Sequence, residues 1–178
     1  MHPIFILKAI HMSLQKLLVP RVGIAMLGIV GLADVANAAT ATTTFQVQMQ
    51  ITASCIINSA GNLIFPSTGV IAANVDETST LSVQCTNTTP YNISLDAGAG
   101  SGATTAARKM TSGGNTITYS LYSDSGRTTL WGDVIGTNTV ASAGTGAAQI
   151  FTIYGRVPPQ TTPAPATYTD TINVTVTY

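Results

Sequence analysis

The segment from Phe45 to Ile51 alternates strictly between apolar and polar side chains, which is the pattern of an extended β-strand. Phe45, Val47, Met49 and Ile51 would lie on one face of that strand, and three glutamines would lie on the other. A strand with one apolar face needs a partner to cover it. It can pair inside its own domain, or it can complete the β-sheet of a neighbouring molecule. The segment itself is compatible with both arrangements.

Residues 1–38 are predicted to be a cleaved secretory signal rather than part of the fold. Three basic residues precede an apolar run over residues 22–33, which has the length of a signal sequence. Small side chains on either side of Asn37 place the cleavage site between Ala38 and Ala39. The alternative, a permanent membrane anchor, is disfavoured because the run is too short to span a bilayer. We therefore expect an exported protein.

The composition of residues 39–178 argues against several functional classes. Both histidines lie in the predicted signal, and four basic against six acidic residues give the remainder a net charge of −2. No basic patch is available for nucleic acid, and no histidine is available as the base of a nucleophilic triad. We predict one domain that is not an enzyme and needs no cofactor and no metal.

For three side chains, a catalytic or binding role is an alternative to a structural one. Asp124 and Asp133 flank a predicted hairpin and could form a carboxylate pair, but acidic residues at turns are more often structural. Trp131 could stack on a sugar, but a single tryptophan at the end of a strand more often fills a core. We expect structural roles for all three.

The two cysteines, Cys55 and Cys85, are predicted to form a disulfide bond. In the oxidising environment of an exported protein, two cysteines about thirty residues apart usually pair. Two free thiols or a metal-binding pair are the alternatives. Both are weaker because no histidine or further cysteine accompanies them.

Short segments rich in threonine, valine, isoleucine and tyrosine recur along the chain, separated by turn residues. No stretch shows the periodicity of an amphipathic helix. Several short strands with regular turn signals predict an antiparallel β-sandwich. The predicted strands after the alternating segment are 81–85, 91–95, 117–121, 148–157 and 168–178.

These segments, in this order and spacing, resemble the spore coat protein U domain family. That family includes subunits of archaic, Csu-type chaperone–usher pili of Gram-negative bacteria. The resembling segments are spread over the whole predicted mature chain, residues 39–178. It is carried by the segments Ile51–Cys55, Ser82–Cys85, Tyr91–Gly98, Ile117–Asp124, Leu130–Asp133, Ile153–Val157 and Tyr168–Tyr178.

The resemblance implies an all-β fold, an incomplete immunoglobulin-like antiparallel β-sandwich that is completed by a donor strand. Phe45, Val47, Met49 and Ile51 would be the donor residues that fill the groove of the next subunit. The last strand would line the groove and anchor the subunit to its chaperone through Ile172, Val174, Val176 and Tyr178. The implied partners are a periplasmic pilus chaperone, an outer-membrane usher, and copies of this chain or related pilins. Nucleic acid is not among them.

We accordingly predict three parts: a signal peptide at 1–38, a donor segment at 39–52, and a β-sandwich domain at 53–178. The predicted function is a structural pilus subunit that passes through the periplasm to the cell surface and supports attachment and biofilm formation. The alternative is a self-contained secreted protein of a spore coat or matrix. In that alternative, residues 45–51 would be the first strand of the domain's own sandwich.

Overall fold

The structure is a computed structural model that describes residues 38–178, so the predicted signal peptide, except for its last residue, lies outside the described residues. Residues 47–178 form one compact unit. Among residues 38–178 there is no helix that is long and apolar enough to cross a membrane. The described part of the chain contains eight strands: β1 (Cys55–Ala60), β2 (Val75–Cys85), β3 (Pro90–Leu95), β4 (Arg108–Ser112), β5 (Asn115–Tyr122), β6 (Val140–Ala143), β7 (Ala148–Val157) and β8 (Val174–Thr177).

The strands form two antiparallel sheets. The larger sheet has the strand order β1-β2-β7-β5-β4, and the smaller sheet has the order β6-β3-β8. Alternation in β2 turns Leu81, Val83 and Cys85 into the core, while the residues between them lie on the outer face. The predicted all-β antiparallel sandwich is confirmed.

Three strands lie in segments that carry no strand signal in the sequence. β1, β4 and β6 are four to six residues long, and none of them alternates cleanly between apolar and polar residues. The predicted strand at 148–157 is confirmed with its bounds, as β7. The predicted strand at 168–178 is wrong in length, because only Val174–Thr177 pairs as β8. Pairing with β3 continues only as far as Leu95, where β3 ends.

The core lies between the two sheets and contains one charged side chain. Trp131 is 1% exposed, and its indole Nε1 donates to the carbonyl oxygen of Ile93 at 2.9 Å, so its structural role is confirmed. Arg108 is completely buried, and burial lowers the pKa of its guanidinium. Its nitrogens donate to four carbonyl oxygens at 2.8–2.9 Å, those of Leu95, Asp96, Thr105 and Trp131. These bonds satisfy the buried charge and tie the end of β3 to β4 and to the loop at Trp131.

Replacing Arg108 by methionine should lower the free energy of unfolding by at least about 3 kcal/mol, since several buried carbonyl groups would lose a charged donor. The fluorescence of Trp131 during urea unfolding can follow this loss. Lys109→Met is the matched control, because the Lys109 ammonium makes one exposed hydrogen bond, to Ser101. It should change stability by less than about 1 kcal/mol. Equal effects of the two substitutions would contradict the role assigned to Arg108.

Candidate functional site

The two sheets differ in width, and this leaves part of the larger sheet uncovered. Neighbouring strands lie about 4.8 Å apart, so five strands span about 19 Å and three span about 10 Å. The difference is roughly the width of two further strands. Residues 61–69, which follow β1 and turn Leu63 and Phe65 toward the core, lie along one side of this uncovered part, and the rest of it is open.

The open place is a groove of about 870 Å³ with an apolar floor. One wall is the segment 60–69, and the other is the segment 162–172 together with Val174, the first residue of β8. The floor is formed by residues of the core and its margin: Val75, Leu95, Met110, Ile117, Tyr119, Leu121, Ile153 and Val157. Its shape and chemistry suit an extended apolar segment better than a polar ligand.

Close packing on β7 fixes the first wall. A Cβ atom added at Gly155 would come within 2.8 Å of Leu63 and 3.0 Å of Phe65, so both side chains lie directly on the glycine backbone. Phe65 also meets the ring of Tyr119 edge to face, with ring centroids 6.4 Å apart. The wall is therefore held in place by side-chain packing.

The last strand offers a free backbone edge beside the groove. β8 pairs with β3 on one side, and no strand among residues 38–178 pairs with its other side. Ile172, Val174 and Val176 are half-buried and point inward, while the residues between them are exposed. Tyr178 is 59% exposed and lies outside the core. An incoming strand could therefore pair with β8 and place its own side chains in the groove.

A buried phenol stands at the groove floor. Tyr119 is 4% exposed and donates to an Asp170 carboxylate oxygen at 2.7 Å. Burial raises the pKa of the Tyr119 hydroxyl, and the hydrogen bond to Asp170 raises it further. The phenol is therefore neutral at physiological pH and acts as a hydrogen-bond donor.

The apolar face of the segment 45–51 is in contact with water. Phe45, Val47, Met49 and Ile51 are 87%, 83%, 84% and 68% exposed, respectively. Residues 38–54, all of them described, contain no strand, and β1 begins at Cys55. Ala38 and Ala39, at the predicted cleavage site, are exposed as well.

The structure contains the Cys55–Cys85 disulfide between β1 and β2. The two residues face each other directly in the strand pairing. Cys55 is the first residue of β1, so the bond anchors the domain at the point where the exposed segment ends. The closed loop includes the groove wall at 60–69.

Few side chains in the described part of the chain are arranged for chemistry. Residues 38–178 contain no group of three or more histidine, cysteine or acidic residues that could hold a metal ion. Asp124 accepts hydrogen bonds from the backbone amides of Thr128 and Thr129, which makes it a turn residue. Asp133 is exposed and does not share that turn.

The sequence did not indicate two parts of this site, the wall at 60–69 and the pair of Tyr119 and Asp170. The wall has no regular alternation, although Leu63-Ile64-Phe65 beside Pro66 is a short apolar run that could have been noticed. Tyr119 and Asp170 lie 51 residues apart, and only the fold brings them together.

An antiparallel sandwich with an open apolar groove and a free edge defines a class of protein that can accept a strand. Residues 41–175 match the Spore Coat Protein U domain, and the chain belongs to that family. This confirms the family indicated by the sequence. Protein U of Myxococcus xanthus is 34% identical, over 80% of this chain and 88% of that protein.

A solved structure shares the fold. It is the CsuC–CsuE chaperone–tip adhesion subunit pre-assembly complex from archaic chaperone–usher Csu pili of Acinetobacter baumannii. The alignment has a TM-score of 0.54 and 21% sequence identity, and it covers 72% of this chain and 40% of that one. At this level of identity the likeness concerns the fold.

Proposed function

We propose that the protein is a structural subunit of an archaic chaperone–usher pilus that polymerises by donor-strand exchange. In this proposal, residues 45–51 of one molecule occupy the groove of the next molecule and pair with β8. The observation that carries the proposal is that one chain has both an exposed strand-like segment with an apolar face and an open apolar groove beside a free strand edge.

The dimensions of donor and groove agree. Six residue steps from Phe45 to Ile51 extend over about 20 Å at about 3.3 Å per residue. One added strand takes about 4.8 Å of width, which fits the open place beside the wall at 60–69. The glutamines between the donor residues would face away from the groove, toward water.

Burial of the donor residues supplies a sufficient driving force. Four large apolar side chains at about 1.5–3 kcal/mol each would contribute roughly 6–12 kcal/mol, before the cost of ordering the segment. The backbone hydrogen bonds to β8 add to this. A fibre held in this way would be long-lived.

The same groove explains why a chaperone is needed before assembly. An open apolar groove beside a free edge promotes aggregation in a monomer. We infer that a periplasmic chaperone covers the groove with a strand of its own, aided by an anchor at Tyr178, and that an outer-membrane usher exchanges that strand for residues 45–51. The fold shared with a subunit of a chaperone complex and the predicted signal support this route and a location at the cell surface. We propose attachment and biofilm formation as the role of the fibre.

The self-contained alternative requires residues 45–51 to pair inside their own domain. The absence of a strand in residues 38–54 and the high exposure of the four apolar side chains disfavour it.

The proposal predicts that residues 53–178, expressed in the periplasm without a chaperone, are insoluble. Co-expression of a peptide with the sequence of residues 43–53 should restore soluble protein, because the peptide covers the groove. A peptide with aspartate in place of Met49 is the matched control and should not restore it. Fractionation followed by gel electrophoresis measures the result. A stable, soluble monomer of residues 53–178 alone would contradict donor-strand exchange.

A further inference from the structure

The groove wall at residues 162–172, and Asn173 that joins it to β8, are attached to the sheets at few points. No strand among the described residues lies between the end of β7 at Val157 and the start of β8 at Val174. One isolated bridge joins Thr169 to Thr111, with N–O distances of 2.8 and 3.1 Å. Because no continuous row of backbone hydrogen bonds joins this wall to a strand, side-chain hydrogen bonds must hold it in position.

Asp170 supplies one of these attachments. One carboxylate oxygen accepts from the amide of Ala99 at 2.8 Å and from the amide of Thr171 at 2.8 Å. The other oxygen accepts from the hydroxyl of Tyr119 at 2.7 Å. The carboxylate therefore joins the wall to the groove floor and to the loop after β3.

The loop after β3 is shaped around this carboxylate. Gly98 has a φ of +81°, and a Cβ atom there would lie 2.7 Å from the carboxyl carbon of Asp170. A side chain at position 98 would therefore be strained in two ways. The close approach requires glycine and indicates that the position of Asp170 is built into the fold.

Asp96 supplies a second attachment at the far end of the wall. Its carboxylate accepts from the backbone amide of Asn173 at 3.0 Å and from the Asn173 side-chain amide at 2.6 Å. The carbonyl oxygen of Asp96 in turn accepts from the buried Arg108 at 2.8 Å. The start of β8 is therefore connected through Asp96 to the buried Arg108.

We propose that Asp170 and Asp96 are positioning residues of the acceptor groove, which hold the wall 162–172 at the width that retains a donor strand. This inference rests on the proposed donor-strand exchange and extends it. Asp170 is among the residues that line the groove, and Asp96 is not. Both would act by keeping the free edge of β8 and its adjoining wall in register with the incoming strand.

The test uses the full mature chain, residues 39–178, with Val47→Asp and Met49→Asp so that it accepts a strand but does not donate one. This parent chain is refolded with a fluorescent peptide of residues 43–53, and release is followed by anisotropy after addition of excess unlabelled peptide. Asp170→Ala should release the peptide about tenfold faster, and Tyr119→Phe should do so by a smaller factor. Asp133→Ala is the matched control and should stay within about twofold, because Asp133 is exposed and does not line the groove.

Two further readouts separate positioning from general destabilisation. Asp170→Ala already removes the hydrogen bond between Tyr119 and Asp170. The double variant Asp170→Ala/Tyr119→Phe should therefore release the peptide no faster than Asp170→Ala alone. Hydrogen exchange should quicken at the amides of Ala99 and Thr171, which donate to Asp170, and stay unchanged in β2 and β7. Asp96→Ala should quicken exchange at Asn173 in the same local way.

The outcomes separate the inference from the proposed function. If the parent chain forms no complex with the peptide, donor-strand exchange itself fails. If the complex forms and Asp170→Ala releases the peptide at the parent rate, or exchange quickens evenly throughout both sheets, the positioning role is overturned. If Asp170→Ala does not refold, the release rate of Tyr119→Phe decides, and the parent rate there overturns the inference.

Discussion

A chain with Met49→Asp should be exported normally but should form no fibres. The substitution removes about 2 kcal/mol of apolar burial and would place an ionised carboxylate in an apolar groove, at a cost of several kcal/mol. Together these effects weaken the donor by at least about a thousandfold. Electron microscopy of the cell surface, and gel ladders of heat-resistant polymers, measure the loss of fibres.

Gln48→Asp is the matched control for this prediction. It introduces the same charge one residue away, on the face that would point to water, and fibres should form. The Met49→Asp chain should still accept a peptide of residues 43–53, because its own groove is unaltered. Normal fibres from Met49→Asp, or equal losses from the two substitutions, would show that this face is not the donor.

Removal of the disulfide should cost about 3–4 kcal/mol of unfolding free energy, the value expected for closing a loop with a sequence separation of 30. The effect should include a looser groove, because the closed loop contains the wall at 60–69 and Cys55 lies where the exposed segment joins β1. Denaturant unfolding of the peptide-bound chain, monitored by the fluorescence of Trp131, measures the change in unfolding free energy.

Alanine is the suitable replacement, since Cys85 is 1% exposed and a serine there would bury a hydroxyl group. Cys55→Ala alone should lose nearly as much stability as the double alanine variant, because either change opens the loop. Reduction of the wild-type chain with dithiothreitol should approach the same value. A loss below about 1 kcal/mol in all three cases would contradict the stabilising role of this bond.

Several elements could be predicted because their signals are local. β7 was predicted with its bounds, and the core face of β2 was predicted because alternation with period two appears within a few residues. The disulfide could be predicted from the presence of two cysteines in a chain with an export signal. β1, β4 and β6 were missed because they are short and have no buried face that alternates cleanly. They are strands because they pair with β2, β5 and β3, respectively.

The donor segment, like β7, has a local sequence signal, whereas the groove, like β1, has none. The sequence by itself determined that Phe45, Val47, Met49 and Ile51 share one face of the extended segment. Successive side chains of an extended chain point to opposite sides, so every second residue lies on the same face. Only the tertiary structure decided that a larger sheet faces a smaller one and leaves a groove between residues 60–69 and 162–172. Sheet width depends on pairing between distant segments, such as β2 with β7, and no local pattern records it.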